Sequence, residues 1–271
     1  MQLTVSTWNI NSVRLRIDQV RRFLSERRPD ILCLQETKCP NDKFPLQELQ
    51  AFGYPFVVHM GQKGYNGVAI LSRFPFSATS NMEMCGRSDA RHITVTLGSG
   101  AKGASGLTIH NFYIPAGGDI PDPKLNDKFQ HKLQFMEELR AWGGRAKPTG
   151  APAILVGDLN VAPLEHDVWS HRQLLDVVSH TPVETAALEE LRQEAGWSDA
   201  LRHLRPEPEK VYSWWSYRSP DWAAADKGRR LDHIWVSQDL TGTLRAIDVS
   251  RETRGWDRPS DHAPVTAVLE L

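Results

Sequence analysis

The chain is poor in cysteine. It has three, Cys33, Cys39 and Cys85, an odd number with no close pair of the redox or zinc type. A reducing, cytoplasmic setting is the expectation that follows. Long hydrophobic runs are also lacking, since no stretch approaches the roughly 20 apolar residues that a bilayer span requires. Met1 to Asn11 has neither the basic flank nor the long apolar core of a secretory leader, and it reads instead as a first strand. Nor is there an excess of charge of one sign. The 32 Lys and Arg against 33 Asp and Glu leave a formal net charge of −1, so the molecule as a whole is no electrostatic trap for nucleic acid. Charge is gathered only locally, at Arg14, Arg16, Arg21 and Arg22 and again at Arg218, Lys227, Arg229 and Arg230. Such clusters are ordinarily solvated faces. No repeat and no long linker interrupts the 271 residues, which are read as one domain, 1–271.

Short apolar runs rich in β-branched residues punctuate the chain at 3–10, 30–34, 68–72, 92–97, 107–114, 153–160, 231–237 and 263–269, and they predict strands. Helical spacing links Val13, Ile17, Val20 and Leu24, then Phe129, Leu133, Met136 and Leu139, and more briefly Leu188 and Leu191. The glycine-rich stretch 98–106 predicts a connection between paired strands, and 143–152 predicts a loop. Strands mixed with scattered helices predict an α/β protein with two sheets packed face to face and helices outside.

The residues able to do chemistry stand at strand ends. Asp158 and Asn160 follow the run Ala153-Ile154-Leu155-Val156, and a period of two places them on one face. A carboxylate and an amide there can hold a water and a phosphate oxygen, although a turn alone would also favour Asp and Asn. Asn9 and Asn11 repeat the pattern at the first strand. Asn11 and Ser12 read as caps of the following helix, which leaves Asn9 unexplained. Glu36 follows an apolar run and offers the oxygen that a hard cation prefers. Asp232 opens a strand, with His233 facing the opposite way beside Leu231 and Trp235 and expected to be structural. Asp261 and His262 share a turn bounded by Ser260 and Pro264, and Asp232 is the natural carboxylate to orient His262.

In this order, Ser6-Thr7-Trp8-Asn9, Gln35-Glu36-Thr37-Lys38, Gly64-Tyr65-Asn66-Gly67, Asn111-Phe112-Tyr113-Ile114-Pro115, Gly157-Asp158-Leu159-Asn160, Leu231-Asp232 and Ser260-Asp261-His262 resemble the exonuclease III and AP endonuclease family of the endonuclease/exonuclease/phosphatase superfamily. The resemblance implies a four-layer α/β sandwich of the deoxyribonuclease I type, forming a single catalytic domain. It implies a metal site drawn from Glu36, Asn9, Asp261, Asp158 and Asn160, and a catalytic set of Tyr113, Asp158, Asn160, Asp232 and His262. Substrate contacts fall to Lys38, Tyr65, Asn66, Trp214, Arg218 and Leu231, with Trp215 in the core. The implied cofactor is Mg²⁺, for which Mn²⁺ substitutes. The implied partner is double-stranded DNA with abasic sites or 3′ ends, acted on by a monomer with no membrane involved. Three departures stand out. Asn11 lies where some relatives carry Asp, Ala116 where they often carry an amide, and Arg229 where some have an aromatic wall of the abasic-sugar pocket. Lys124 or Lys128 could supply charge near Ala116.

Two other readings use the same residues. One is a same-fold phosphoesterase acting on a phospholipid or inositol phosphate. The other is a DNA-binding module without catalysis, which the cost of keeping so many unneeded buried charges argues against.

Overall fold

The computed structural model describes residues 1–143 and 151–271. Most of the loop expected over 143–152 lies outside the described residues. In chain order the strands are β1 (Gln2–Asn9), β2 (Ile31–Gln35), β3 (Phe56–Met60), β4 (Val68–Ser72), β5 (Phe76–Ser80), β6 (His92–Leu97), β7 (Thr108–Tyr113), β8 (Ala153–Asp158), β9 (Trp197–Asp199), β10 (Trp214–Trp215), β11 (Gly228–Arg229), β12 (Asp232–Ser237), β13 (Leu244–Val249) and β14 (Val265–Glu270). The longer helices are α1 (Ile17–Arg27), α2 (Asp127–Gly143) and α3 (Pro182–Glu194).

Two six-stranded sheets run in the orders β13-β14-β1-β2-β4-β3 and β5-β6-β7-β8-β12-β9. Each has a parallel pair near its centre, β1 with β2 and β7 with β8, amid antiparallel neighbours. These central strands are apolar on both faces because both faces are covered. In β8, Ile154 and Val156 point into the layer between the sheets, where they meet Val5, Ile31, Cys33, Ile109 and Ile234. Leu155 points the other way, toward Phe135, Met136 and Leu139 of α2 and Leu188 and Leu191 of α3. On the far side, Val20, Phe23 and Leu24 of α1 cover Trp8, Leu32 and Leu34. The result is helix, sheet, sheet, helix. Each fully buried Leu, Ile or Val contributes about 1.5–3 kcal/mol over its exposed state. Cys33 is one of these core residues, and burial pushes its thiol far above the ordinary range.

Three sequence expectations are corrected here. The run 153–160 is a strand only to Asp158. Gly157 has φ +143°, and a Cβ there would lie 1.9 Å from the Phe112 carbonyl oxygen, so only glycine fits this close pairing with β7, and the chain leaves the ladder after Asp158. Asn160 follows with φ 54°. The helix expected from Val13 begins at Ile17, with Arg16 in the capping position and no side-chain cap, so Asn11 and Ser12 cap nothing. Strands β3, β5, β9, β10, β11 and β13 are not legible as strands in the sequence, since each is short, partly exposed or interrupted by polar residues. The connection at 98–106 does join paired strands, β6 and β7. Among the described residues, no helix is long and apolar enough to cross a membrane.

Candidate active site

The parallel pairs set the location of the site. β1 and β2 end side by side at Asn9 and Gln35, and β7 and β8 end side by side at Tyr113 and Asp158. β12 starts at the same edge, since Asp232 stands opposite Asp158 in the antiparallel register. β14 runs antiparallel to β1, so the turn before it delivers Asp261 and His262 to that edge as well. Behind the site the two sheets are tied by buried amides. Gln35 Nε2 donates to Asn111 Oδ1 at 2.7 Å, and Asn111 Nδ2 donates to the carbonyls of Leu34 and Ala69.

The front of this edge is one connected polar array. Asn9 Nδ2 donates to Glu36 Oε1 at 2.9 Å and to Asp158 Oδ2 at 2.8 Å, bridging the two carboxylates. Tyr113 Oη donates to the same Glu36 oxygen at 2.8 Å, and Lys38 Nζ lies 2.7 Å from Glu36 Oε2. Asn160 N–H donates to Asp158 Oδ1 at 3.0 Å. His262 Nδ1 lies 2.8 Å from Asp232 Oδ2, and His262 Nε2 lies 3.7 Å from Asp158 Oδ2. Asp261 accepts from Asn11 Nδ2 and from Trp214 Nε1, both at 3.0 Å. Glu36, Lys38, Asn11, Asn66 and Asn160 all have positive φ between 46° and 54°. Non-glycine residues seldom adopt this conformation, and where they gather it commonly marks a functional site.

Burial and charge set the protonation states. Burial would pull the His262 imidazolium down, but the carboxylates of Asp232 and Asp158 outweigh it and hold the ring well above its ordinary value. Burial, with the Asp232 charge nearby, lifts the Asp158 carboxyl even against the pull of His262. For Glu36, burial works upward but is outweighed by the Lys38 ammonium and by hydrogen bonds from Asn9, Lys38 and Tyr113, which hold the carboxyl below its ordinary value. Asp261 is likewise held down against burial, by His262, Trp214 and Asn11. Burial and the charges of Glu36 and Asp158 push the Tyr113 phenol well above its ordinary value, so it remains a hydrogen-bond donor.

Two groups of atoms could attract a cation. One atom each from Asp158, Asp232 and His262 lies within 4.8 Å of the others. There, however, both His262 nitrogens face carboxylates, and a protonated ring has no lone pair to offer a metal. The second group is made of oxygens. Lys38 Nζ sits between Glu36 Oε2 and Asn11 Oδ1, 2.7 Å from each, and Asn11 also binds Asp261. The ammonium is held there by carboxylate and amide oxygens, the donor type that a hard cation prefers. Asn9 fits a ligand role less well than expected, because its Nδ2 is spent on two carboxylates and its Oδ1 accepts from Asn11 N–H.

Beside the array opens a cleft of about 810 Å³, lined by Glu36, Asn160, Asp261 and His262 together with Trp214, Arg218, Leu231, Arg229, Lys227 and Trp169. Trp214, Arg218 and Leu231 thus stand where the sequence placed substrate contacts. Trp215 is buried, as expected. Tyr65, 71% exposed, and Asn66 do not line the cleft. The Asn66 amide donates to the Asp89 carbonyl, and its own carbonyl accepts from Lys38 N–H, so it braces the Glu36 loop. Arg229 lies over the Trp214 ring at 5.2 Å and donates to Val178 O and Ser179 Oγ. His233 is structural: it bridges Arg230 and the Val161 carbonyl, and burial followed by the Arg230 charge pushes it down to about 4. Lys124 and Lys128 are exposed and do not line the cleft, although Lys128 lies beside the lining residue Gly118, whereas Lys132 is buried behind Ala116 and Asn160. Ser213, which sequence reasoning missed, donates to Asp232 Oδ2 at 2.6 Å and accepts from Asp232 N–H. No spacing signal marks it within its aromatic segment.

A four-layer sandwich with acids, amides and a charged histidine converging at one sheet edge defines an enzyme of the phosphodiester-hydrolysing class. Comparison with known proteins narrows this. The sequence matches the Endonuclease/Exonuclease/phosphatase family over residues 6–262, and the chain belongs to that family. It is 30% identical to exodeoxyribonuclease III of Haemophilus influenzae, across 97% of this chain and 98% of that protein. Among solved structures it is similar to a 3′ phosphatase from Neisseria bound to a product DNA hairpin (TM-score 0.89, 33% identity, 99% of this chain and 100% of that one). It is equally similar to an AP endonuclease from Archaeoglobus fulgidus (TM-score 0.90, 32% identity, 99% and 100% coverage).

Proposed function

We propose that the protein is a DNA repair nuclease acting as one catalytic domain, a monomer in the cytoplasm. It hydrolyses duplex DNA 5′ to abasic sites, removes 3′ nucleotides and clears blocked 3′ ends, with Mg²⁺ as its cation and Mn²⁺ as a substitute. The observation that carries this reading is the paired arrangement of Asp158 and His262 across a 3.7 Å gap, with Asp232 behind the ring and Glu36 one amide away. The names of the related proteins, a 3′ phosphatase and an AP endonuclease among them, support the choice of DNA.

A phosphodiester is anionic and repels hydroxide, so its hydrolysis needs charge to be offset and water to be activated. Glu36 and Asp261, with Asn11, would hold the cation, which when bound offsets phosphate charge. Asp158 takes a proton from the attacking water, a role suited to a carboxyl that burial has lifted. Asn160 faces the cleft and positions that water and a phosphate oxygen. His262 stays an imidazolium and places positive charge against the phosphate, while Asp232 fixes its orientation. Tyr113 donates a hydrogen bond from its O–H to the phosphate or to the leaving 3′ oxygen. Lys38 adds charge near the phosphate, the exposed Tyr65 meets the DNA backbone from the rim while Asn66 serves substrate binding only by bracing the Glu36 loop, and Trp214, Leu231 and Arg218 shape the cleft for the displaced sugar. The test is a gel assay on abasic duplex, blunt duplex, 3′-phosphate duplex and single strand, with Mg²⁺ or chelator, alongside sphingomyelin. Cleavage of the duplexes only with Mg²⁺ is expected. Turnover of sphingomyelin without DNA cleavage would move the protein to the lipid phosphoesterase reading, and DNA binding without cleavage would make it a binding module.

A further inference from the structure

Lys132 of α2 and Glu184 of α3 form an ion pair in which both side chains are fully buried. Neither lines the cleft. Buried pairs are commonly no more stabilising than apolar residues of the same volume, so stability alone gives no reason for this one. Its hydrogen bonds do. Besides Glu184, Lys132 Nζ donates to the carbonyl of Asn160 at 2.7 Å and reaches that of Ala116 at 3.4 Å. Glu184 accepts from Ser179 N–H at 3.0 Å, and from Thr181 N–H at 3.2 Å and Thr181 Oγ1 at 2.6 Å. The pair therefore joins three segments around Ala116, Asn160 and Ser179, all of which line the cleft. Gly117, with φ +90°, packs on the lysine stem so closely that a Cβ would lie 2.8 Å from Lys132 Cδ.

Asn160 has reason to need such an anchor. It sits in the left-handed region at φ 54°, two residues past Asp158, where β8 ends. It lines the cleft, its side-chain amide donates to the Ile114 carbonyl at 2.9 Å, and its N–H holds Asp158 Oδ1. The carbonyl lies in the peptide after the Asn160 Cα and the N–H in the peptide before it, so holding the carbonyl restrains ψ of Asn160 and with it the Cα from which the side chain departs and beside which the N–H meets the Asp158 carboxylate. We infer that Lys132, backed by Glu184, is a positioning residue that sets Asn160 and Asp158 in their working orientation. The inference rests on the roles given to those two residues under Proposed function.

The experiment compares wild type with Lys132→Met, Lys132→Arg, Glu184→Gln and the double variant Lys132→Met/Glu184→Leu. Each is assayed for kcat and KM on abasic duplex with Mg²⁺ and for thermal stability. The double variant removes both charges, so it should melt above Lys132→Met. It should still lose about 10²-fold in kcat, the usual cost of a small misplacement, with KM changed less than about threefold. Lys132→Arg, which keeps a donor, should recover part of the lost kcat at an equal or lower melting temperature. A folded double variant with wild-type kcat overturns the inference, as does a loss shared equally by all variants in proportion to their stability. If the double variant does not fold, the nearly isosteric Glu184→Gln decides: an unchanged kcat overturns the inference, and a fall of about tenfold at constant KM upholds it. A wild type inactive on every DNA substrate would instead remove the nuclease reading itself.

Discussion

Asp158 and Asp232 are ladder partners, facing each other across β8 and β12 with His262 set against both carboxylates. One strand pair therefore supplies both the group that would activate water and the group that orients the cation facing the phosphate. The two acids have different neighbours. Asp232 is fixed by Ser213 and the ring, while Asp158 is held by amides and faces His262 across a gap.

If Asp232 acts only through His262, the two form a unit. Asp232→Ala, His262→Ala and the double variant should then lose similar activity rather than multiply their losses. His233→Ala should keep kcat and lose stability. Additive losses, or a folded but inactive His233 variant, would refute the assignment.

Asp158→Asn should bind duplex DNA near wild-type strength while cutting about 10²–10⁴-fold more slowly, the range for loss of a general base. Steady-state kinetics and a binding titration on the same preparation check this. A variant that cuts normally removes Asp158 from the chemistry.

Chelation should abolish cleavage, and Mg²⁺ or Mn²⁺ should restore it, because the candidate ligands at Glu36, Asp261 and Asn11 are oxygens. Glu36→Gln should raise the Mg²⁺ concentration needed for half-maximal rate. Full activity in exhaustively chelated buffer contradicts the cation requirement.

Trp214→Ala and Arg218→Ala should change which DNA is chosen. Opening a duplex costs less where a base is already missing, so residues that occupy or wall the displaced position favour abasic sites. Trp214→Ala should lower abasic incision more than 3′ trimming, and Arg218→Ala should alter the ratio of the two. Equal factors on both activities would make the segment structural.

Acid should destabilise the fold through buried neutral histidines. His110 and His233 are each pushed by burial to about 4, from an ordinary 6.5, with the Arg230 charge adding to the effect on His233. The unfolded chain takes up these protons first. The stability they contribute is therefore complete above pH 6.5 and is lost as pH falls toward 4, about 3 kcal/mol for each. Urea midpoints across this range should fall less steeply for His110→Phe than for wild type. Parallel slopes would exclude His110.

Much of the site could be read from sequence because its residues stand beside apolar runs. Asp158, Asp232 and Glu36 each follow or open a stretch of buried type, and Asp232 and His262 do meet at 2.8 Å. Period-two reasoning stops applying where the backbone leaves the strand, as at Asn160, which lies beyond the last ladder pair at Asp158 with a left-handed φ of 54°. Asn11 read as a helix cap because Asn favours caps, yet its amide serves Asp261 and Lys38. Lys132 was hidden because nothing local distinguishes a buried lysine from an exposed one on an amphipathic helix. Its partner did carry a signal, since Thr181-Pro182-Val183-Glu184 has the spacing of a capping box.

Because Asp158 is the last residue of β8 and pairs on both sides, with Tyr113 and with Asp232, its direction is fixed by counting along the strand. A single residue inserted between Ala153 and Val156 would turn the carboxylate away from Asn9 and His262 and carry Val156 with it, exchanging the face between the sheets for the face under the helices. Changes of length in descendants of this gene should thus accumulate in the connections between strands and be purged from β8 itself.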